Sequence, residues 1–371
     1  MPCLNEEGTI GLCVRAARTA LENAGMSGEV LVADNGSEDR SRAVATEAGA
    51  RIVDVKQLGY GNALRTGLRQ ARGTYLVFLD SDMSYDCADI PRFIEELRRG
   101  PDLVIGSRMR GGIDPGAMPF LHRFLGTPVL TALANLLFGC GVSDINCGMR
   151  GLRRTAFDRL DLHAEGMEFA SEMMIKAARE RFRITEIPID FHVDQRGRSP
   201  HLRSFRDGWR HLQLMMHYCS VWVFFLPALL FLLAGFAAML AAPSRPAEFL
   251  AASLVGMFSV TLGILVFLLG LTAQGHVKGS KYAKANNTPF LRFVRTWFRV
   301  ETGVALGIIV MLLGALCMGG AILYLLHAAP ELQFLAAKAA FFGAATFISG
   351  LEVAFASLFL GLFGIRVAED E

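Results

Sequence analysis

Apolar positions fall along the chain in two different patterns. Up to about residue 218 they form short runs separated by stretches of helical periodicity. Beyond it they merge into long, nearly uncharged runs. In the first part, 29–34 is a short apolar run closing on Asp34 and the turn Asn35-Gly36-Ser37, followed by a helical pattern over 38–48. A second strand is predicted at 51–54, a helix at 59–72 and a continuous apolar strand at 74–79 that stops at Asp80. A helix at 90–98, a strand at 102–106 and a later helix at 167–181 follow. Strands joined through helices predict an α/β domain with a doubly wound, mostly parallel sheet. Such sheets bind ligands beyond the carboxyl ends of their strands, where Asp34 and Asp80 stand.

In the second part, runs at 219–242, 248–273, 303–327 and 339–362 are each long enough to span about 30 Å of hydrocarbon as a helix. Pro243-Ser244-Arg245-Pro246 makes the first two a tight hairpin. The segment 274–302 carries Lys278, Lys281, Lys284, Arg292, Arg295 and Arg299 against Glu301, so the positive-inside rule places it in the cytoplasm. Four crossings then put the N-terminal domain and the tail from Arg366 to Glu371 on the same side, making a multi-pass inner (cytoplasmic) membrane protein with a cytoplasmic N-terminal domain. Glu352 lies inside the fourth run and is a functional candidate on that ground. The spans hold no chain of ionisable residues, which argues against a pump or channel. The run 118–140 is broken by His122, Arg123 and Pro128; too short to cross, it is expected to lie along a membrane surface, with a buried core helix as the competing expectation. Three regions follow: an α/β domain over 1–202, an amphipathic juxtamembrane helix over 203–218, and a four-helix membrane domain over 219–371.

Charge sharpens this division. The last 153 residues hold 16 Lys, Arg, Asp and Glu side chains, the first 218 hold 56. A net charge of +2 points to no polyanionic partner, nucleic acid included. The cysteines Cys3, Cys13, Cys87, Cys140, Cys147, Cys219 and Cys317 are odd in number and form no CxxC pair, which argues against a disulfide framework or a zinc site and for reduced thiols. Met1 to Glu7 has neither the basic region nor the apolar core of a signal peptide, and none is expected there.

Asp80-Ser81-Asp82 carries the most specific chemistry. Two carboxylates one residue apart, just past a buried strand, offer oxygen ligands to a hard divalent cation that bridges to phosphates. Magnesium or manganese held there neutralises the charge developing on a nucleoside diphosphate leaving group. Gly59-x-Gly61 at a helix start is suited to cradling phosphate through backbone amides, and equally to a tight turn. Glu168 and Glu172, four apart on one helix face, are expected to have a structural or surface role.

The ordered set Pro2-x-Leu4-Asn5-Glu6-Glu7, Asp34-Asn35-Gly36-Ser37, Gly59-Tyr60-Gly61-Asn62-Ala63 with Arg65 and Gly67, and Asp80-Ser81-Asp82 resembles glycosyltransferase family 2. Within it, the set looks like the polyprenyl-phosphate (dolichol-phosphate type) hexosyltransferases. Gly106-Ser107-Arg108, the stretch Ser143-Asp144-Ile145-Asn146-Cys147-Gly148-Met149-Arg150, and Glu186-Ile187-Pro188-Ile189 extend the resemblance, which covers about 2–217. It implies a GT-A fold, inverting transfer of a hexose from a nucleotide sugar, Mg2+ or Mn2+ as cofactor, and a polyprenyl phosphate acceptor at the bilayer. Carried residue by residue, it implies metal ligation by Asp80 and Asp82. Donor binding falls to Pro2, Leu4, Glu6, Glu7, Asp34, Gly59, Gly61, Asp80 and Ser81, and catalytic roles to Asp82, Arg108 and Arg196. An acceptor phosphate is already anionic and needs cations to hold it in line rather than a strong base. Arg108, Arg123, Arg150, Arg196 and Arg198 are the candidates, Arg108 and Arg196 foremost. The Arg- and aromatic-rich stretch 202–218 leads straight into the first span and sets such a site at the membrane surface.

Asn35 stands where a second Asp is commoner. Met83-Ser84-Tyr85-Asp86 lacks the Gln of some members, leaving a third metal ligand open, and Asp194-Gln195-Arg196-Gly197-Arg198-Ser199-Pro200-His201 is an altered form of an Arg-x-x-Gly-x-Ser stretch. Similarity of 111–116 and 200–202 to bacterial dolichol-phosphate-glucose synthases favours UDP-glucose over GDP-mannose. A processive polysaccharide synthase is disfavoured because Gln-x-x-Arg-Trp is missing; Gly208-Trp209-Arg210 is not it. A different lipid or glycan acceptor, a nucleotide-sensing transport or interaction protein, and a homo-oligomer stay open. Members of this family place a buried strand directly before the Pro-x-Leu-Asn-Glu turn. With Met1 adjoining Pro2, that strand is expected to be lacking and the chain to be a truncated form beginning ten or more residues upstream.

Overall fold

The computed structural model describes residues 1–195, 204–219, 221–242, 245–278, 300–327 and 329–365. They form two units, Met1–Met215 and Met216–Glu371. Arg196, Arg198, most of the basic loop 274–302 and the tail from Arg366 lie outside the described residues.

The first unit runs β1 (Pro2–Cys3), α1 (Ile10–Asn23), β2 (Leu31–Asp34), α2 (Ser41–Glu47), β3 (Arg51–Asp54), α3 (Tyr60–Gln70), β4 (Tyr75–Phe78), α4 (Ile90–Arg98), β5 (Leu103–Ser107), α5 (Thr127–Phe138), β6 (Arg150–Arg153), α6 (Arg154–Leu160), α7 (Phe169–Arg179), β7 (Ile184–Pro188) and α8 (Ser204–Tyr218). This is the α/β architecture expected, with two departures.

The first departure concerns the sheet. Strands β1, β2 and β3 are parallel neighbours, but the second sheet, ordered β4-β6-β5-β7, is mixed. Strand β6 runs antiparallel to both β4 and β5. Its sequence, Arg-Gly-Leu-Arg, carries no apolar run. It is held instead by a buried Arg150 and by Gly151, where an added Cβ would come 3.2 Å from Leu97 and 3.4 Å from Phe93 of α4. Nothing in hydrophobic periodicity marks such a strand.

The second departure is at the amino end. Pro2 and Cys3, inside the Pro-x-Leu-Asn-Glu motif and not before it, form a two-residue strand that pairs in parallel with Ala33 and Asp34.

Helix α3 packs on β2 through Gly67, whose position admits the Ala33 methyl at 3.2 Å from where a Cβ would stand. Helix α5 follows one π-type turn at His122–Gly126. Thr127, Thr131 and Ala134 face inward, while Phe120, Phe124, Leu125 and Leu136 are exposed. Asn135 closes the connection after α5, donating to Val142 O and accepting from Val142 N.

The second unit is helical: a π-type turn at Val221–Phe225, then α9 (Leu226–Leu240), α10 (Pro246–Lys278), α11 (Val300–His327) and α12 (Pro330–Ile365). Within them Trp222–Leu240, Glu248–Leu271, Glu301–His327 and Leu332–Phe359 are long and apolar enough to cross a membrane. The fourth begins earlier than its apolar run because Lys338 is accommodated: its ammonium donates to Leu240 O and lies over the Phe334 ring. Small residues set the closeness of α11 and α12; a Cβ at Gly314 would stand 2.3 Å from Phe347 N. The carboxylate oxygen Glu352 Oε2 is buried without a hydrogen-bond partner. Six of the seven cysteines are buried, Cys317 is exposed, and none is disulfide-bonded.

Candidate active site

The strand ends gather the predicted residues as the topology requires. Asp34 closes β2, with its carboxylate accepting from the Ser37 amide and lying 3.3 Å from Arg42 Nη1. The turn after β1 is stitched to the loop after β2. Asn5, at φ 55°, donates its amide to Ser37 Oγ and accepts the Glu38 amide. Glu6 N donates to Ser41 Oγ, and the Glu7 carboxylate accepts from Arg40 N. Pro2, Leu4, Glu6 and Glu7 thus stand together beside Asp34, and Glu7 is spent on bracing the α2 entrance. Asn35, a departure from the commoner Asp, has its own work. Its side chain donates to Gln57 O and accepts from Gly59 N, tying β2 to the start of α3.

Asp80-Ser81-Asp82 follows β4 directly. Ser81 Oγ donates to Pro2 O at 2.7 Å, and Thr9 Oγ1 donates to Ser81 O at 2.7 Å, so the motif is locked onto the β1 turn. Tyr60 OH donates to Asp80 Oδ1 at 2.8 Å. Burial, then the Asp80 charge, raises the Tyr60 phenol well above its usual range, so it remains a donor. On the other side Gly148 leaves room for Asp80; a Cβ there would come 2.8 Å from Asp80 Oδ2. Asp82 Oδ1 accepts from Ser84 N and Ser84 Oγ. The segment after β7 lies alongside this turn, with Gln195 N donating to Asp82 O and His192 N to Ser84 O.

The donor set fits a hard divalent cation. Asp80 and Asp82 supply two carboxylates, and among the described residues no cluster of three His, Cys, Asp or Glu forms a dedicated cage. Magnesium is commonly held in that way, by one or two carboxylates plus substrate phosphates and water.

Three expectations are corrected. The glycine turn is not a phosphate cradle. Gly61 N and Asn62 N both donate to Glu165 O, and Gly59 N is taken by Asn35, so these amides are occupied. Glycine is required there for approach instead. Gly59 has φ 135°, and a Cβ on Gly59 or Gly61 would stand 2.3 Å from Glu165 O or Ala164 O respectively. Arg150 is not an acceptor-phosphate ligand. It is fully buried, and its guanidinium donates to the carbonyls of Cys147, Ala170 and Ile145. Arg108 is committed as well: Nε and Nη2 bind both oxygens of the buried Asp144 at 2.7 and 2.9 Å, and the guanidinium lies 5.1 Å over the Phe191 ring. Burial opposes its charge, but Tyr85 and Asp144 outweigh that and raise its pKa. Arg123, half-buried beside Phe124, has its guanidinium 5.4 Å from that ring.

Glu172 matters more than its spacing indicated. Fully buried and paired with Lys176 at 2.8 Å, it accepts the amides of His163 and Ala164. It thereby holds the strip 163–165 against the glycine turn. Glu168 Oε1 accepts from Gly166 N, while its Oε2 is buried without a partner. The stretch 143–150 divides its work: Asp144 takes Arg108, the carbonyls of Ile145 and Cys147 take Arg150, and Gly148 admits Asp80. No property of these side chains in isolation carries that division.

Residues 1–161 match Glycosyl transferase family 2. Along 98% of this chain and 88% of its own length, the low-salt glycan biosynthesis hexosyltransferase Agl6 of Haloferax volcanii is 34% identical. A dolichyl-phosphate hexose transferase of the same organism is 31% identical over 44% of this chain and 69% of its own. Glucosyl-3-phosphoglycerate synthase of Mycobacterium tuberculosis, solved in complex with phosphoglyceric acid, overlaps 59% of this chain and 78% of its own at 23% identity, with a TM-score of 0.46.

Proposed function

The chain belongs to glycosyl transferase family 2, a glycosyltransferase with a GT-A domain ahead of four candidate membrane helices, and on that premise we propose that it transfers a hexose from a nucleoside diphosphate sugar to polyprenyl phosphate. The carrying observation is the Asp80 carboxylate, set between Tyr60 and Gly148 at the end of β4 and next to Asp82. Asp80 and Asp82 would hold magnesium or manganese, which when bound would neutralise charge on the departing diphosphate. Tyr60 orients Asp80, and Ser81 and Thr9 keep the motif from swinging away. The acceptor phosphate oxygen is already anionic and attacks the anomeric carbon from the face opposite the leaving group, inverting it. The residues must align that oxygen and exclude water, not remove a proton. With Arg108 and Arg150 committed elsewhere, Arg123, Arg196 and Arg198 hold the acceptor phosphate. The bare face of α5 and the turn before it, with Phe120, Phe124 and Leu125, rests on the cytoplasmic leaflet of the cell membrane where that lipid lies. UDP-glucose is placed ahead of GDP-mannose as donor, and a dolichyl-phosphate hexose transferase among the relatives supports the acceptor class.

The test is transfer by detergent-solubilised protein from a panel of labelled nucleotide sugars, with and without polyprenyl phosphate. Organic-extractable label that needs both the lipid and Mg2+ or Mn2+ is expected, and Asp82→Asn should abolish it while the protein stays folded. Label released only as free sugar, or built into a polymer, would remove the acceptor assignment.

A further inference from the structure

Buried polar atoms in native proteins are paired, and those that are not call for an explanation. Among the described residues of the α/β unit, two buried oxygens, Asn146 Oδ1 and Glu168 Oε2, have no hydrogen-bond partner. They lie on different elements, Asn146 in the loop ahead of β6 and Glu168 at the N-cap of α7, yet both adjoin one side chain. The Arg150 guanidinium donates to Ile145 O and Cys147 O, on either side of Asn146, and to Ala170 O, two residues past Glu168. One buried arginine thus clamps the two segments together.

The clamp stands beside Asp80. At Gly148, two residues past Asn146, an added Cβ would meet both Asp80 Oδ2 and Tyr85 OH, and the Gly148 amide donates to that phenol at 2.8 Å. Phe169, next to Glu168, sets its ring against Phe78 of β4, two residues before Asp80, with centroids 6.4 Å apart. Burial raises the Tyr85 phenol well above its usual range, so its hydroxyl keeps a hydrogen. Among the described residues no acceptor takes that hydrogen.

The chemistry left over narrows the occupant. The two unpaired atoms are acceptors, one of them on a carboxylate, which repels a phosphate. A metal cation is opposed by the Arg150 charge beside them. A neutral group with several O–H donors satisfies both, and its oxygens can accept the Tyr85 hydrogen as well. Sugar hydroxyls are such groups. Both side chains are half-buried as a whole. A turn about the final bond, which is soft in Asn and Glu, brings either oxygen to a ligand.

Resting on the donor class proposed above, we propose that Asn146 and Glu168 form a hexose-reading subsite: Asn146 Oδ1 and Glu168 Oε2 accept hydrogen bonds from hydroxyls of the donor sugar and set which hexose is used.

Calorimetry on the full chain in detergent with Mn2+ measures UDP, GDP, UDP-glucose and GDP-mannose, with no lipid acceptor present. Glu168→Gln keeps the side chain's volume and an oxygen for Gly166 N, but puts an amide nitrogen where Oε2 stands. It should weaken the better-bound nucleotide sugar about tenfold and leave its parent nucleotide within about twofold. Asn146→Ala should have the same effect, about fivefold, and Asn146→Asp, which keeps an acceptor, should restore most of it. The 2-, 3-, 4- and 6-deoxy forms of that nucleotide sugar separate contact from mere structure. The unaltered protein should lose about tenfold for the form lacking the hydroxyl that Glu168 reads, and Glu168→Gln should bind that form no worse than the complete sugar. Equal losses for nucleotide and nucleotide sugar, unchanged affinity in both variants, or additive losses at every hydroxyl overturn the proposal. The thermal midpoint is measured alongside; if Glu168→Gln unfolds, Asn146→Ala decides by the same criteria. This pattern of binding without transfer to polyprenyl phosphate would remove the acceptor assignment and leave the subsite. Lipid transfer with no response to either variant would do the reverse.

Discussion

Arg108 shows how a side chain placed for chemistry by its position after a strand serves structure instead. Its guanidinium neutralises Asp144, which has no exposure of its own. Removing one partner of a buried pair strands the other, at roughly 3–5 kcal/mol. Arg108→Ala should therefore lower the denaturation midpoint of the α/β unit markedly, measured in urea or by heating. An unchanged midpoint with a raised KM for the lipid alone would return Arg108 to the acceptor. His211 yields a second expectation. It is buried against Ser171, sharing a 2.6 Å hydrogen bond, with Glu168, Asp207 and Arg150 as its charged surroundings. Burial holds its pKa down at about 4, against about 6.5 when unfolded. Below pH 6.5 the unfolded chain takes up a proton that the native chain refuses until about pH 4. Stability thus falls as pH drops through that window, by up to roughly 3 kcal/mol. His211→Gln should flatten this part of the pH profile of the thermal midpoint; an identical slope would assign the loss to other groups.

At the level of elements, the join of α3 and α7 decides whether the donor side holds its shape. Gly61→Ala thrusts a methyl to 2.3 Å from a backbone oxygen that has no room to yield. A cost of about 1–3 kcal/mol is expected, together with weakened nucleotide binding by calorimetry, because Tyr60 is carried along. Glu172→Ala should do similar harm from the opposite side by freeing 163–165. Retained nucleotide affinity in both variants would separate this join from the site. The strands β2, β4 and β5 and helices α3, α4 and α7 were legible because their apolar spacing is regular and their ends carry turn residues. Strand β6 was not, since its stability comes from an arginine feeding three carbonyls and from a glycine under α4. Asp80-Ser81-Asp82 stood out in the sequence because paired acids after a buried strand have little structural use. The glycine turn stayed between two readings because the partner of the Gly61 and Asn62 amides, Glu165 O, lies about a hundred residues away, where local pattern holds no information.

For the whole molecule, an α/β unit and a helical unit of membrane length share one chain, and α5 with its preceding turn exposes Phe120, Phe124, Leu125 and Leu136. Phe120→Asp with Phe124→Asp should raise the KM for polyprenyl phosphate in nanodiscs at least tenfold and leave the KM for the nucleotide sugar alone. A parallel loss in both would place that face in folding rather than in lipid contact. The seven thiols have a use of a different kind. Burial pushes Cys3, Cys13 and Cys140 up to about 11 and Cys87 and Cys147 up to about 12, Cys219 is buried too, and Cys317 is exposed only within a helix of membrane-spanning length. Maleimides attack thiolates, so intact mass after brief labelling should show at most one adduct on the folded protein and seven once it is denatured. Adduct counting is thus a gauge of the folded fraction that needs no sugar, lipid or metal. It would let each variant above be sorted into damaged folding or damaged chemistry before any substrate is known.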